Sequence, residues 1–270
     1  MTETPLLPAG YLYVATGEKH RRECLRSVES LKRHVPVAHV TLVSDVPFQH
    51  PLLDSVQVIP VEASPFLFKI AGFRHTPYQK TFFLDTDTWF CDACEELFVL
   101  LDYYDWCIAH CPNDHFDVFD ADNNVVRGYH AYNTGVVLFQ KNEHTDRLID
   151  RWYKAYSTHL HQYPHDQPAL MEALLYAPVK LCVLQTIYNA RTPYPTAFIE
   201  KPVKIIHGRH RDYEKMARRL NRHQQYNRSW IPRRQCAVRF RRPWWFRLYL
   251  RLPMGTRRWI KNLRLKFLFR

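Results

Sequence analysis

Glycine is scarce in this chain. Seven glycines in 270 residues, beside 46% hydrophobic content, exclude a collagen-like repeat and argue against disorder. No apolar run approaches the roughly 18 residues that a membrane-spanning helix needs. The first residues, Met1-Thr2-Glu3-Thr4-Pro5, lack the basic-then-apolar pattern of a secretory leader, so no signal peptide is expected. The seven cysteines, an odd number without such a leader, are then expected as cytosolic thiols rather than a disulfide framework. Acids are missing from one end only. Residues 201–270 hold 22 Lys and Arg against 2 acids, whereas residues 1–200 hold 16 against 24, which accounts for the net +12. The division this suggests is a mildly acidic domain, residues 1–212, followed by a basic, aromatic-rich, helical segment, residues 213–270.

Along the body, β-type runs alternate with helical spacing. Strands are expected at 11–15, 37–43, 56–61, 80–84, 106–109, 135–139 and 204–206. Helices are expected at 21–34, where Cys24, Val28 and Leu31 share a face, and at 66–73, 145–160 and 167–176. The stretch 113–124, with Asp114, Asp117, Asp120 and Asp122, reads as a polar loop. Strand-helix-strand order with short connections predicts an α/β fold, a mostly parallel central sheet flanked by helices. No internal repeat is visible.

The most informative run is Thr81-Phe82-Phe83-Leu84-Asp85-Thr86-Asp87. Nothing in an apolar strand needs two carboxylates. At the carboxyl end of a strand they become useful, because ligand sites of open α/β sheets lie there. Two converging carboxylates suit a hard divalent cation such as Mg²⁺ or Mn²⁺, which can in turn neutralise a diphosphate. Further polar groups fall at predicted strand ends or helix starts: Thr16-Gly17, Asn133-Thr134-Gly135, His165-Asp166-Gln167 and His207-Gly208-Arg209. Asp166 is also expected as the N-cap of its helix.

Together these segments resemble the GT-A nucleotide-sugar glycosyltransferases, nearest to glycosyltransferase family eight, with its glycogenin-like and bacterial lipooligosaccharide galactosyltransferase-like members. The resemblance rests on YVATGEKH at 13–20, PYQKTFFLDTDTWF at 77–90, YNTGVVLF at 132–139, HDQPAL at 165–170 and KIIHG at 204–208, and covers about residues 10–212. It implies a Rossmann-like sheet and transfer of a hexose from a UDP-sugar to a glycan or lipid-linked acceptor. Asp85, Asp87 and His207 would hold the metal. Ala15, Thr16 and Gly17 would line the nucleotide pocket. Lys69 would approach the donor, and Asn133 and Gly135 would line the sugar site. Thr86, Gly208 and Arg209 complete the implied donor pocket. Asp166 and Gln167 match the pair that contacts the donor sugar, which favours a retaining enzyme; an inverting one would draw a base from Asp114, Asp117 or Asp166. Two departures stand out. His20 occupies a position where the family often has Tyr. The Lys-Pro-Trp that usually follows His-x-x-Gly is absent: Gly208 directly follows His207, and Arg209 and Arg211 stand nearby.

Other readings compete. Asp85-Thr86-Asp87-Thr88 also fits the nucleophile strand of a haloacid-dehalogenase-type phosphatase, with Asp85 attacking; against it, two strand-helix units precede this strand. Cys91, Cys94, Cys107 and Cys111 have spacing compatible with zinc, or are buried small hydrophobes. In residues 239–270, aromatic and aliphatic residues such as Trp244, Trp245 and Trp259 interleave with arginines. That pattern suits an anionic membrane surface better than nucleic acid, and places the protein on the cytoplasmic face of a membrane. The chain is also compatible with a non-catalytic docking module, or with a tail that merely caps the body.

Overall fold

The computed structural model describes residues 5–111, 117–120, 122, 124–126 and 131–239, together with Pro253 and Thr256. Asp114, most of the 112–130 loop and nearly all of the aromatic-basic stretch beyond 239 lie outside the described residues.

Among the described residues the chain begins with β1 (Leu7–Ala15), α1 (Gly17–His34), β2 (Val40–Ser44), β3 (Ser55–Val58), α2 (Pro65–Phe73), β4 (Tyr78–Leu84) and β5 (Thr88–Phe90). Next come β6 (Trp106–His110), the short β7 (Val118–Phe119) and β8 (Val125–Val126), β9 (Tyr132–Gln140), α3 (Glu143–Thr158), α4 (Asp166–Leu174) and β10 (Leu181–Leu184). The last are β11 (Ala190–Arg191), β12 (Thr196–Ile199), β13 (Ile205–His207), α5 (Tyr213–Leu220), β14 (Arg228–Ile231) and β15 (Cys236–Arg239).

Seven strands form the central sheet, in the order β10-β6-β9-β4-β1-β2-β3. β1 runs parallel to β2 and β4, β2 to β3, and β6 to β10, whereas β9 is antiparallel to both neighbours. The expected mostly parallel α/β sheet is therefore what forms. β9 is the exception, and its pattern hides it. A strand buried on both faces is a continuous apolar run whichever way it points.

Side-chain alternation splits the core into two layers. On one face Phe82 and Leu84 pack with Tyr11, Tyr13, Val28 and Leu42 beneath α1. On the other, Phe83 meets Phe73, Trp106, Phe139 and Trp152 from α2, β6, β9 and α3. The ring centroids of Phe73 and Phe83 lie 4.1 Å apart, and those of Trp106 and Trp152 6.4 Å. The helices start where local chemistry dictates. Ser64 accepts from the Phe66 N–H at 3.2 Å ahead of Pro65 in α2, and Asn142 and Thr145 form a reciprocal capping box on α3. Trp152 then ties core to site, its indole N–H donating to the Asp166 carbonyl at 2.9 Å.

Three expectations are corrected. β2 starts at Val40 rather than 37, because Val37 is 90% exposed in the preceding turn. The 113–124 stretch carries β7, which pairs with β8 directly after it. The segment after 212 is not wholly helical: α5 is followed by β14 and β15, an antiparallel pair that also adds β12. Trp230 and Ala237 point inward on this pair, and with Tyr213, Met216 and Leu220 they join Trp89 and Ile206 in one apolar cluster. The fully buried Arg228 guanidinium donates to the carbonyls of Leu220, Ile199 and Lys201. Basic composition thus conceals a half-buried two-residue alternation. The cysteines named for zinc belong to different packing clusters: Cys94 and Cys107 to the α1 layer, Cys91 against Trp89, Cys111 beside Val118.

Replacing Trp152 with Phe keeps most of the packed ring but strips the Asp166 carbonyl of its donor. The unfolding free energy should fall by about 1–3 kcal/mol, read from urea denaturation; an unchanged midpoint would mean this hydrogen bond contributes nothing.

Candidate metal and donor site

The carboxyl end of β4 delivers Asp85, and the turn into β5 delivers Asp87. The Asp85 N–H donates to the Gly135 carbonyl at 2.8 Å, which fixes the first acid against β9. His207 arrives from a second, smaller sheet in the order β11-β13-β5, where it pairs with Thr88 and lies one residue past the apolar Ile205-Ile206. Gly208 follows with φ +117°, a left-handed conformation that favours glycine, and its N–H donates to the Asp87 carbonyl at 3.0 Å. His207 Nε2 lies 3.5 Å from Asp85 Oδ2 and 3.3 Å from Asp87 Oδ1. One ligand atom from each of the three residues falls within 4.8 Å of the others.

A chain of hydrogen bonds sets the polarity of the imidazole. The Gly135 N–H can only donate, and it donates to Asn133 Oδ1 at 3.2 Å. Asn189 Nδ2 donates to the same oxygen at 2.8 Å, so Asn189 Oδ1 is left as the acceptor facing His207 Nδ1, also at 2.8 Å. Nδ1 therefore carries the proton and Nε2 turns toward the carboxylates. Metal-binding histidines are oriented in this way by a partner on the far ring nitrogen. Gly135 also makes the room: a Cβ there would stand 1.9 Å from His207 Cε1. The donor set, two carboxylates and an imidazole, fits a divalent ion such as Mn²⁺ or Mg²⁺.

Lys69, from α2, neutralises the surplus charge. Its ammonium lies 2.8 Å from Asp85 Oδ1 and 3.1 Å from Asp166 Oδ2, and donates to Thr134 Oγ1 at 3.1 Å. Burial alone would push the Asp85 carboxyl up, but Lys69 and His207 outweigh it and hold it below the usual range. Asp87 is likewise raised by burial but held well below that range by His207, with Arg209 and Arg191 adding to the effect. Burial would lower the His207 pKa, yet the two aspartates raise it above its ordinary value. Lys69 follows the same logic, burial lowering it and Asp166 and Asp85 raising it more.

The remaining expected residues divide. Ala15 ends β1; Thr16 Oγ1 and the Gly17 N–H both donate to Asp45 Oδ2 at 3.1 Å, with Arg21 2.6 Å from Asp45 Oδ1. His20 Nδ1 is bonded to the Thr16 carbonyl oxygen at 2.9 Å. Asn133 is buried, an anchor of the histidine relay, and its Nδ2 has no hydrogen-bond partner among the described residues. Gln167 Oε1 is likewise buried without one among the described residues. Asp166 is not the helix cap. His165 Nδ1 takes that place by accepting from the Gln167 N–H at 3.4 Å, and Asp166, one residue on, turns its carboxylate to Lys69. Arg209 is engaged by Glu23 through two bonds of 2.6 and 3.0 Å, and Thr86 donates to the same carboxylate at 3.3 Å. Asp117 is exposed.

Sequence reasoning missed Glu23, Asn189 and Arg191. Glu23 reads as one more acid on a helix. Asn189 and Arg191 come from a stretch without periodicity, in and beside a two-residue strand, so no local signal marks them.

No family model and no curated protein matches the chain. Solved structures do match. The glycosyltransferase GlyE of Streptococcus pneumoniae TIGR4 superposes with a TM-score of 0.55 at 17% identity, over 76% of this chain and 56% of that one. The galactosyltransferase LgtC, solved with donor and acceptor sugar analogs, gives 0.51 at 13% identity, over 75% of this chain and 90% of that one. The chain thus spans little more than half the length of GlyE. What these likenesses establish is the architecture: the chain has the GT-A glycosyltransferase fold, with an Asp-Asp-His group at its sheet end.

Asn189→Ala removes the partner of Nδ1 without touching a ligand atom. Mn²⁺ affinity should fall about 10- to 100-fold by isothermal titration. Gly135→Ala should weaken it at least as much by displacing the imidazole. Wild-type affinity in both would separate the relay from metal binding.

Proposed function

We propose that this chain is a divalent-metal-dependent glycosyltransferase that moves a hexose from a UDP-sugar to a glycan or lipid-linked acceptor with retention. The observation that carries the reading is the convergence of Asp85, Asp87 and His207 at the carboxyl end of β4 within this fold. Asp85, Asp87 and His207 would hold the ion, Mn²⁺ or Mg²⁺, which would supply Lewis-acid stabilisation to a diphosphate leaving group. Ala15, Thr16 and Gly17, at the carboxyl end of β1, form the nucleoside side of the pocket. Gln167 Oε1 and Asn133 Nδ2, a free acceptor and a free donor, are matched to sugar hydroxyls. Retention is supported by the character of the Asp166-Gln167 pair: Gln167 is an amide and cannot act as a base, and Asp166 Oδ2 lies 3.1 Å from the Lys69 ammonium.

The membrane surface is the partner proposed for residues 239–270, with the enzyme on the cytoplasmic face. Their aromatic and arginine content supports it. No helix among the described residues is long and apolar enough to cross a membrane.

A thermal-shift panel of nucleotide-sugars with and without Mn²⁺ tests the donor. One UDP-sugar should stabilise the protein by about 2.7 kcal/mol at a hundredfold excess over its Kd, only with Mn²⁺, and Asp87→Ala should abolish the shift. No shift with any nucleotide-sugar would overturn the transferase reading. Proton NMR of the product's anomeric signal decides retention. Removing residues 240–270, and leaving the packed 213–239 in place, should abolish sedimentation with anionic phosphatidylglycerol vesicles while donor binding persists; retained vesicle binding would reject the tail as the membrane contact.

A further inference from the structure

Of the cations near the candidate site among the described residues, Lys69, Arg209 and Arg21 are already paired. Lys69 is held by Asp85 and Asp166, Arg209 by Glu23, and Arg21 by Asp45. Arg191 is different. Its guanidinium makes no ion pair and no hydrogen bond among the described residues, and its buried Nε is without a partner. Its guanidinium carbon lies 5.8 Å from the centroid of the Tyr194 ring.

The register of the small sheet decides where this cation points. In β11 and β13, Ala190 pairs with Ile206 and Arg191 with His207, while β5 sets Trp89 opposite Ile206 and Thr88 opposite His207. Ala190, Ile206 and Trp89 share one face and pack in the apolar cluster of α5 and Trp230. Arg191 and His207 therefore stand side by side on the other face, the one that carries the aspartates. The field of Arg191 is felt at Asp87, His207 and His165, which brackets its position between the metal ligands and the start of α4. The chain is anchored on both sides, at Asn189 two residues before and at Thr192 directly after. Asn189 is fixed by His207 and Asn133, and Thr192 is fixed through its carbonyl by Trp230 Nε1 at 2.8 Å and through its hydroxyl by His210 Nε2 at 2.6 Å.

A partly buried, unpaired guanidinium on an anchored strand is costly to hold and well placed to receive a planar or tetrahedral oxyanion. We propose that Arg191 is a substrate-anion contact of this site, binding a phosphate or carboxylate oxygen of the ligand seated against Asp87 and His207. The inference rests on the transferase reading and deepens it. Arg209, expected in the donor pocket, is paired with Glu23, whereas Arg191 offers an unpaired cation from another strand. The anion has two possible sources, the diphosphate of the donor or an acidic group on the acceptor.

Isothermal titration of the full chain with Mn²⁺ alone, with UDP plus Mn²⁺, and with inorganic phosphate added to the UDP–Mn²⁺ complex separates the cases. The variants are Arg191→Gln and Arg191→Lys. If the donor diphosphate is the source, Arg191→Gln weakens UDP about 10- to 100-fold and Arg191→Lys recovers part of the loss. If the acceptor side is the source, UDP affinity stays within about twofold of wild type, and phosphate binding to the loaded protein is lost in Arg191→Gln. In both cases affinity for Mn²⁺ alone is unchanged or higher, because a nearby positive charge is gone. Weakened binding of Mn²⁺ alone, or no change in either anion titration, overturns the proposal. A wild-type protein that binds no UDP with Mn²⁺ removes the transferase reading instead, and phosphate titrated into the protein with Mn²⁺ then judges Arg191 on its own.

Discussion

The ammonium of Lys69 lies between Asp85 and Asp166, and the organisation of the site depends on it. Three elements meet there: α2 brings the cation, β4 one acid and the first turn of α4 the other. Asp166 is withdrawn from water and Asp85 partly so, and a buried carboxylate is tolerable only when paired. Apolar packing of α2 against Phe83 and Trp152 brings the helix close, but the ion pairs select the orientation that aims Lys69 at the sheet end. With Asp85 Oδ1 so compensated, its Oδ2 remains turned toward His207 and Asp87.

The imidazole is governed from the opposite side, and the reference point is a backbone amide. Because the Gly135 N–H has one possible polarity, each successive amide in the relay has one as well, ending at His207 Nδ1. The same glycine leaves the volume that the imidazole ring fills. One residue of β9 thus sets both the tautomer and the seat of a side chain in a different sheet. The strands β5, β13 and β11 hold the site's second wall, and the cluster of Trp89, Ile206, Tyr213 and Trp230 behind them makes residues 213–239 part of that wall's support.

Much of this was legible in the chain itself. An apolar run ending in Asp85 and Asp87 could be read as a strand delivering acids to a ligand site, because burial periodicity and an abrupt change in polarity are local signals. The helix spacing of Cys24, Val28 and Leu31 was readable for the same reason. Other assignments went astray where two local readings were equivalent. Asp166 looked like a cap, yet its neighbour His165 accepts the amide and frees Asp166 for Lys69. Glu23, far away in sequence, pairs with Arg209, a contact no local pattern announced. The strands β14 and β15 were hidden by the basic composition around them, which includes the buried Arg228 on their inner face.

By itself the sequence determined the α/β class, the order of its main strands and helices, and the acids and histidine from which a metal site can be built. These follow from patterns a few residues long, which hydrophobic burial and turn chemistry translate directly into structure. The tertiary structure alone decided that β9 runs antiparallel, that Asn189 orients His207, that Glu23 captures Arg209 and that Arg191 shares a face with His207. Each of those outcomes depends on strand order and register between segments remote in sequence. A one-residue shift in any of those registers would have sent the same side chains to the opposite face.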